Sequence, residues 1–163
     1  MHSSSIRLRK RAAGRAEGNP MLLMCVNLLS VLGAAIATMV IGFLWYSPFL
    51  FGKPWMVAMG YDPNDKAKIA EMQKKAGPLY GISFLASLLT AFILGKIIYN
   101  LTIDTALYGM KHGFAVWLGF VMTVQLTDKL FGNRPMNLFL INTGYQLVSY
   151  VVMGAILGKW VGC

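Results

Sequence analysis

Along the 163-residue chain, charged residues fall between long uncharged stretches and not within them. No Asp, Glu, Lys or Arg occurs from Gly18 to Gly52, from Ala76 to Gly95, or from Pro135 to Gly158. A hydrocarbon core of about 30 Å takes about 20 helical residues, so each stretch is long enough to span a bilayer. A shorter gap, Gly113 to Thr127, reaches that length only if Thr105 to Met110 join it and Lys111 snorkels to the interface. It is kept as a span because Trp117 to Met122 otherwise has no place to be buried. Lipid does not tolerate open sheet edges, and no strand-length alternation is visible. The pattern therefore predicts an all-α integral membrane protein with four transmembrane helices, at about residues 21–46, 78–99, 106–127 and 136–158 of a domain covering 21–160.

Composition agrees with the pattern. Apolar residues make up 56% and charged residues 13%, against roughly 25% charged in ordinary soluble domains. A soluble enzyme and a disordered chain are excluded, and two cysteines do not make a disulfide scaffold. The net charge of +9 is not a nucleic-acid signal, because the positives sit in loops and in one terminal segment. No nucleic-acid partner is expected. Trp45, Tyr46, Trp55, Tyr61, Tyr80, Tyr99, Tyr108 and Trp160 lie near span ends, where amphipathic rings favour the headgroup layer.

Residues 1–20 differ in composition from the rest of the chain, with Arg7, Arg9, Lys10, Arg11 and Arg15 against the single acid Glu17. Three readings fit: a basic cytoplasmic tail, an Arg- and Ser-rich organelle presequence, or translated leader before a true start at Met21 or Met24. The choice controls orientation. With the tail, one side carries eight positives, including Lys96, Lys111 and Lys159, against seven on the other. Without it the count is three against seven, which places both termini outside and the long first loop in the cytoplasm. The location expected is the cell inner membrane if the source is bacterial, or an organelle membrane if residues 1–20 are a presequence.

The two halves resemble each other. Leu50-Phe51-Gly52-Lys53-Pro54 follows the first span and Leu130-Phe131-Gly132-Asn133-Arg134-Pro135 follows the third. Ile93-Leu94-Gly95-Lys96 closes the second span and Ile156-Leu157-Gly158-Lys159 the fourth. This reads as two parallel helical-hairpin repeats, or as two halves obeying the same interface rules. The first loop adds a segment over about 64–76, with Ile69, Met72 and Ala76 on one face and lysines on the others. It is expected to be an interfacial helix on anionic headgroups, or else a solvated helix with no binding role.

Chemistry-bearing clusters are missing. There is no paired Cys-x-x-Cys, no His-x-x-x-His, no Gly-x-Ser-x-Gly elbow and no phosphate-cradling loop. No catalytic, cofactor or metal site is assigned, and the chain is expected not to be an enzyme. The spans also lack a carboxylate, which disfavours ion-coupled transport. Their polar residues are uncharged, among them Gln125, Asn142 and Gln146; the last two lie four apart on one helix face. They are read as interhelical hydrogen-bonding groups or as the lining of a polar cavity.

The most distinctive stretch is Gly42-Phe43-Leu44-Trp45-Tyr46-Ser47-Pro48, running on through Leu50-Phe51-Gly52-Lys53-Pro54-Trp55. With Asn27, Trp117-Leu118-Gly119-Phe120 and Ile141-Asn142-Thr143-Gly144-Tyr145, it resembles the bacterial and fungal membrane-protein family called domain of unknown function 1761, from about Val26 to Trp160. The resemblance implies a fold and supplies no mechanism. Physically the stretch reads as a helix exit. Trp45 and Tyr46 anchor at the interface, Ser47 takes up a freed backbone group, Pro48 stops the helix, Phe51-Gly52 turns the chain and Trp55 returns it to the surface. The candidate motif and binding residues are Trp45, Tyr46, Ser47, Pro48, Phe51, Gly52, Trp55, Trp117, Gln125, Asn142, Tyr145 and Gln146. The function expected is a non-enzymatic lipid- or partner-binding membrane scaffold working as a homo-oligomer. The alternative is a small oligomeric permease with an uncharged polar cavity.

Overall fold

The computed structural model describes residues 26–160. The basic tail, the first residues of the expected first span, and both cysteines lie outside that range. Among the described residues all regular structure is helical: α1 (Leu28–Trp45), α2 (Gly52–Ala58), α3 (Lys66–Asn100), α4 (Ala106–Phe131) and α5 (Met136–Lys159). Four of these, all but the short α2, are long and apolar enough to cross a membrane.

Local chemistry sets the helix ends. Asn27 caps α1 by accepting from the backbone N–H groups of Leu29 and Ser30, at 3.0 and 3.3 Å, which satisfies donors that have no partner in a first turn. Asp65 does the same for α3 through Lys68 N–H at 3.0 Å, and Thr105 caps α4 through Tyr108 N–H. At its C-terminus α3 closes with a doubly bonded turn. Ile103 N–H donates to Ile98 and Thr102 N–H to Tyr99, with Thr102 left-handed at φ 54°; the buried side chains of Ile103 and Ile98 lie at the two ends of the turn's longer bond.

Of the segment over about 64–76, expected as a separate interfacial helix, residues 66–76 are the first turns of α3, a single helix running on through Pro78 to Asn100. Proline lacks an N–H and clashes one turn back, which weakens a helix, but the turns on both sides of Pro78 remain helical. Ile69, Met72 and Ala76 are the partly buried positions of this extension, the face the sequence pattern gave them.

α5 is the central element. No residue from Ile141 to Gly158 is exposed, and α1, α3 and α4 all pack on it. The closest approach is between α4 and α5, where Gly109 and Gly113 face Gly154 and Gly158 and a Cβ on any of the four would strike the other helix's backbone. Small residues four apart allow helix backbones to approach this closely. α1, α3 and α5 share a second packed region through Val31, Ala34, Ala91, Leu94, Ile98, Met153 and Leu157. α3 and α4 barely meet, so a groove floored by α5 runs between them.

Candidate functional site

The sequence candidates converge on one stretch of the central helix, residues 141–145 of α5. From one side come the last residue of α1 and its cap. The Trp45 indole N–H donates to the carbonyl of Ile141 at 3.0 Å, and the Tyr46 hydroxyl donates to Asn142 Oδ1 at 3.0 Å. The Trp45 ring also covers Gly144, where a Cβ would lie 3.1 Å from the indole. The Tyr145 hydroxyl returns the contact to the carbonyl of Thr38 in α1 at 3.4 Å. Tyr145 and Trp55 flank the Tyr46 ring, with centroids 5.4 and 5.7 Å away, and Phe51 lies 4.7 Å from Trp45.

From the other side comes α4. The Trp117 indole N–H donates to the carbonyl of Thr143 at 3.1 Å, and the Thr143 hydroxyl donates to Gln125 Oε1 at 2.9 Å. The second contact depends on a π-helical segment, Trp117–Met122, in the middle of α4. In an unbroken α-helix, rotation of about 100° per residue would leave Gln125 roughly opposite Gly109. Bonds from i to i+5 put more residues in each turn, so every residue in the segment rotates less. That lag brings Gln125 back to the side on which Gly109, Gly113 and Trp117 meet α5.

These side chains form a collar around residues 141–145, and the loop after α1 holds it in place. Phe51 N–H donates to the Trp45 carbonyl at 3.0 Å, and the Ser47 carbonyl accepts from Leu50 and Gly52 at 3.1 and 3.0 Å. Ser47 therefore acts through its backbone oxygen. α1 ends at Trp45, ahead of Pro48, which lies exposed in the loop. Gly52 is required by close approach: a Cβ there would lie 2.7 Å from the Ser47 carbonyl oxygen. Gln146 is half-buried and makes no side-chain hydrogen bond among the described residues.

The arrangement ties three helices together through groups that apolar surroundings would otherwise leave unpaired, at a cost of several kcal/mol each. Trp45 and Tyr46 face inward and are half-buried, so their polar atoms serve the bundle and not a headgroup layer. Thr38 and Thr143 count among the uncharged polar residues of the spans but not among the candidate residues, and nothing in the sequence points to the carbonyl of Ile141. The backbone acceptors carry no sequence signal, and threonine is common in apolar helices. Among the described residues, no three His, Cys, Asp or Glu side chains gather as metal ligands.

The fold and collar define a helical protein with four membrane-capable helices, organised around one central helix. The chain belongs to the family described as Protein of unknown function (DUF1761), whose model matches residues 29–158. No curated protein and no solved structure matches it.

Proposed function

We propose that the chain is a multi-pass integral membrane protein acting without catalysis, as a lipid- or partner-binding scaffold. The supporting observation is the internal use of its polar side chains. Asn142 is engaged from the α1 side by Tyr46, and Gln125 from the α4 side by Thr143. A permease with a polar cavity needs Asn142, Gln125 and Gln146 around one space, and these pairings commit two of the three to different helix contacts. Three long helices packed on a central fourth enclose little volume, so the working unit is a homo-oligomer. The lysines of the first turns of α3, Lys66, Lys68, Lys74 and Lys75, suit anionic headgroups.

The duplication proposed from the sequence has partial support in the packing. Gly95 and Gly158, at matching places near the ends of α3 and α5, both sit tightly against a residue just ahead of a helix: Val26, two residues before α1, for Gly95, and Thr105, the residue before α4, for Gly158. Gly81 and Gly144 differ, the first open and the second covered by Trp45.

Alkaline carbonate extraction followed by reconstitution tests the reading. The protein is expected to stay in the membrane pellet, and its proteoliposomes to show no solute flux above empty vesicles. A flux that disappears in Gln146→Leu would establish the permease instead.

A further inference from the structure

Between α3 and α4 lies an open groove of about 230 Å³, walled by Leu89, Thr90, Ile93 and Ile97 of α3 and Val116 of α4, with Tyr150 of α5 at its floor. It exists because α4 packs on α5 through glycines and leaves α3 almost untouched. From Leu89 to Ile97 it extends about 12 Å along the helix axis, under half of a hydrocarbon core of about 30 Å. It therefore stays within one leaflet's depth, beside the end of the bundle where α3 finishes and α4 begins.

Two features select an occupant. A helix is about 10–12 Å across with its side chains, too wide for a slot of this volume, whereas a single flexible hydrocarbon chain fits. Lys96 is not part of the lining but stands in the same turn of α3 as Ile93 and Ile97, toward the helix end. It is half-buried and forms no ion pair among the described residues, where the pairs are Lys75–Glu71 and Arg134–Asp128. No acid among the described residues pairs with this ammonium group, and its flexible stem can carry it to the phosphate level.

We propose that this groove binds one acyl chain of a membrane phospholipid whose phosphate pairs with Lys96. The assignment rests on the membrane reading above, and it gives the scaffold a definite lipid site. The chain lies against Leu89, Ile93, Ile97 and Val116, and the phosphate reaches the Lys96 ammonium group beside them on α3.

Native mass spectrometry of the detergent-purified full chain tests the site, with dioleoylphosphatidylglycerol and dioleoylglycerol as probes that share acyl chains and differ in the phosphate. The expected result is one bound phosphatidylglycerol, retained in preference to diacylglycerol. Ile93→Trp fills the groove at a position already 50% exposed and is expected to lose both adducts with its melting temperature unchanged. Lys96→Gln is expected to keep binding but lose the preference between the two lipids. Undiminished adducts in Ile93→Trp, or an intact phosphate preference in Lys96→Gln, would overturn the proposal. So would a dimer that Ile93→Trp dissociates, because the groove would then hold a second copy's side chain. Carbonate extraction of the same protein separates the two failures: release from the membrane defeats the scaffold reading, whereas retention without lipid adducts defeats the groove alone.

Discussion

The carbonyl of Gly154 occupies the place where a Cβ on Gly109 would lie, and the carbonyl of Gly109 does the same for Gly154. The two backbones touch, and α4 has hardly any other buried surface apart from Gly113 and Trp117. The position of the whole helix rests on this crossing.

Gly154→Ala must therefore push α4 away from α5. The expected destabilisation is about 1–3 kcal/mol, the range for forcing an extra methyl into a tight contact. Gly119→Ala, with nothing within 4 Å of its added methyl, is the control and should be neutral or slightly stabilising. Thermal unfolding in detergent, followed by intrinsic fluorescence, measures both.

The Tyr46–Asn142 hydrogen bond joins the cap of α1 to α5 across most of the chain's length. A double-mutant cycle of Tyr46→Phe and Asn142→Ala should give a coupling of about 0.6 kcal/mol, the average for such bonds in a membrane protein. Denaturant titration of the four variants supplies the number. Zero coupling would mean that aromatic packing alone holds this side of the collar.

Ser149 is 1% exposed and its hydroxyl has no partner among the described residues. A buried donor without an acceptor costs free energy that an apolar replacement does not. Ser149→Ala is expected to raise stability by about 1 kcal/mol, while Ser149→Val, which is larger, should lower it against the close-packed core. The opposite signs of the two melting-temperature shifts are the check.

Thr102 holds a left-handed backbone conformation at φ 54° in the turn that ends α3. For an L-residue this conformation costs roughly 1–2 kcal/mol, and β-branching makes it worse. Asn133 takes the same conformation, at φ 47°, after α4, and asparagine tolerates it. Thr102→Asn and Thr102→Gly are both expected to raise stability by about 0.5–1 kcal/mol, read as a higher melting temperature in detergent. Thr102→Val, which keeps the branch, should give no gain.

Much of the architecture is legible in the sequence, since a charge-free stretch of spanning length is a local property. The Trp-Tyr-Ser-Pro exit is legible as a helix end, but its side chains read there as facing outward. Trp45 and Tyr46 turn inward because Ile141 and Asn142 offer acceptors on a helix about a hundred residues later, a relationship that no local pattern encodes. The glycines at 154 and 158 signal close packing without naming a partner, because identical spacing serves any helix face. Gly109 and Gly113 prove to be that partner.

The sequence by itself determined that this is an all-helical protein with four membrane-capable helices, because uncharged length and helix-starting residues act within a few positions of one another. It also determined the family. Only the tertiary structure decided that the fourth long helix is central, that Gln125 and Trp117 both reach Thr143, and that α3 and α4 stand apart around a groove. Those outcomes depend on the rotational phase of one helix against another. The π-helical segment at Trp117–Met122 resets that phase, and backbone contact at four glycines holds it in place.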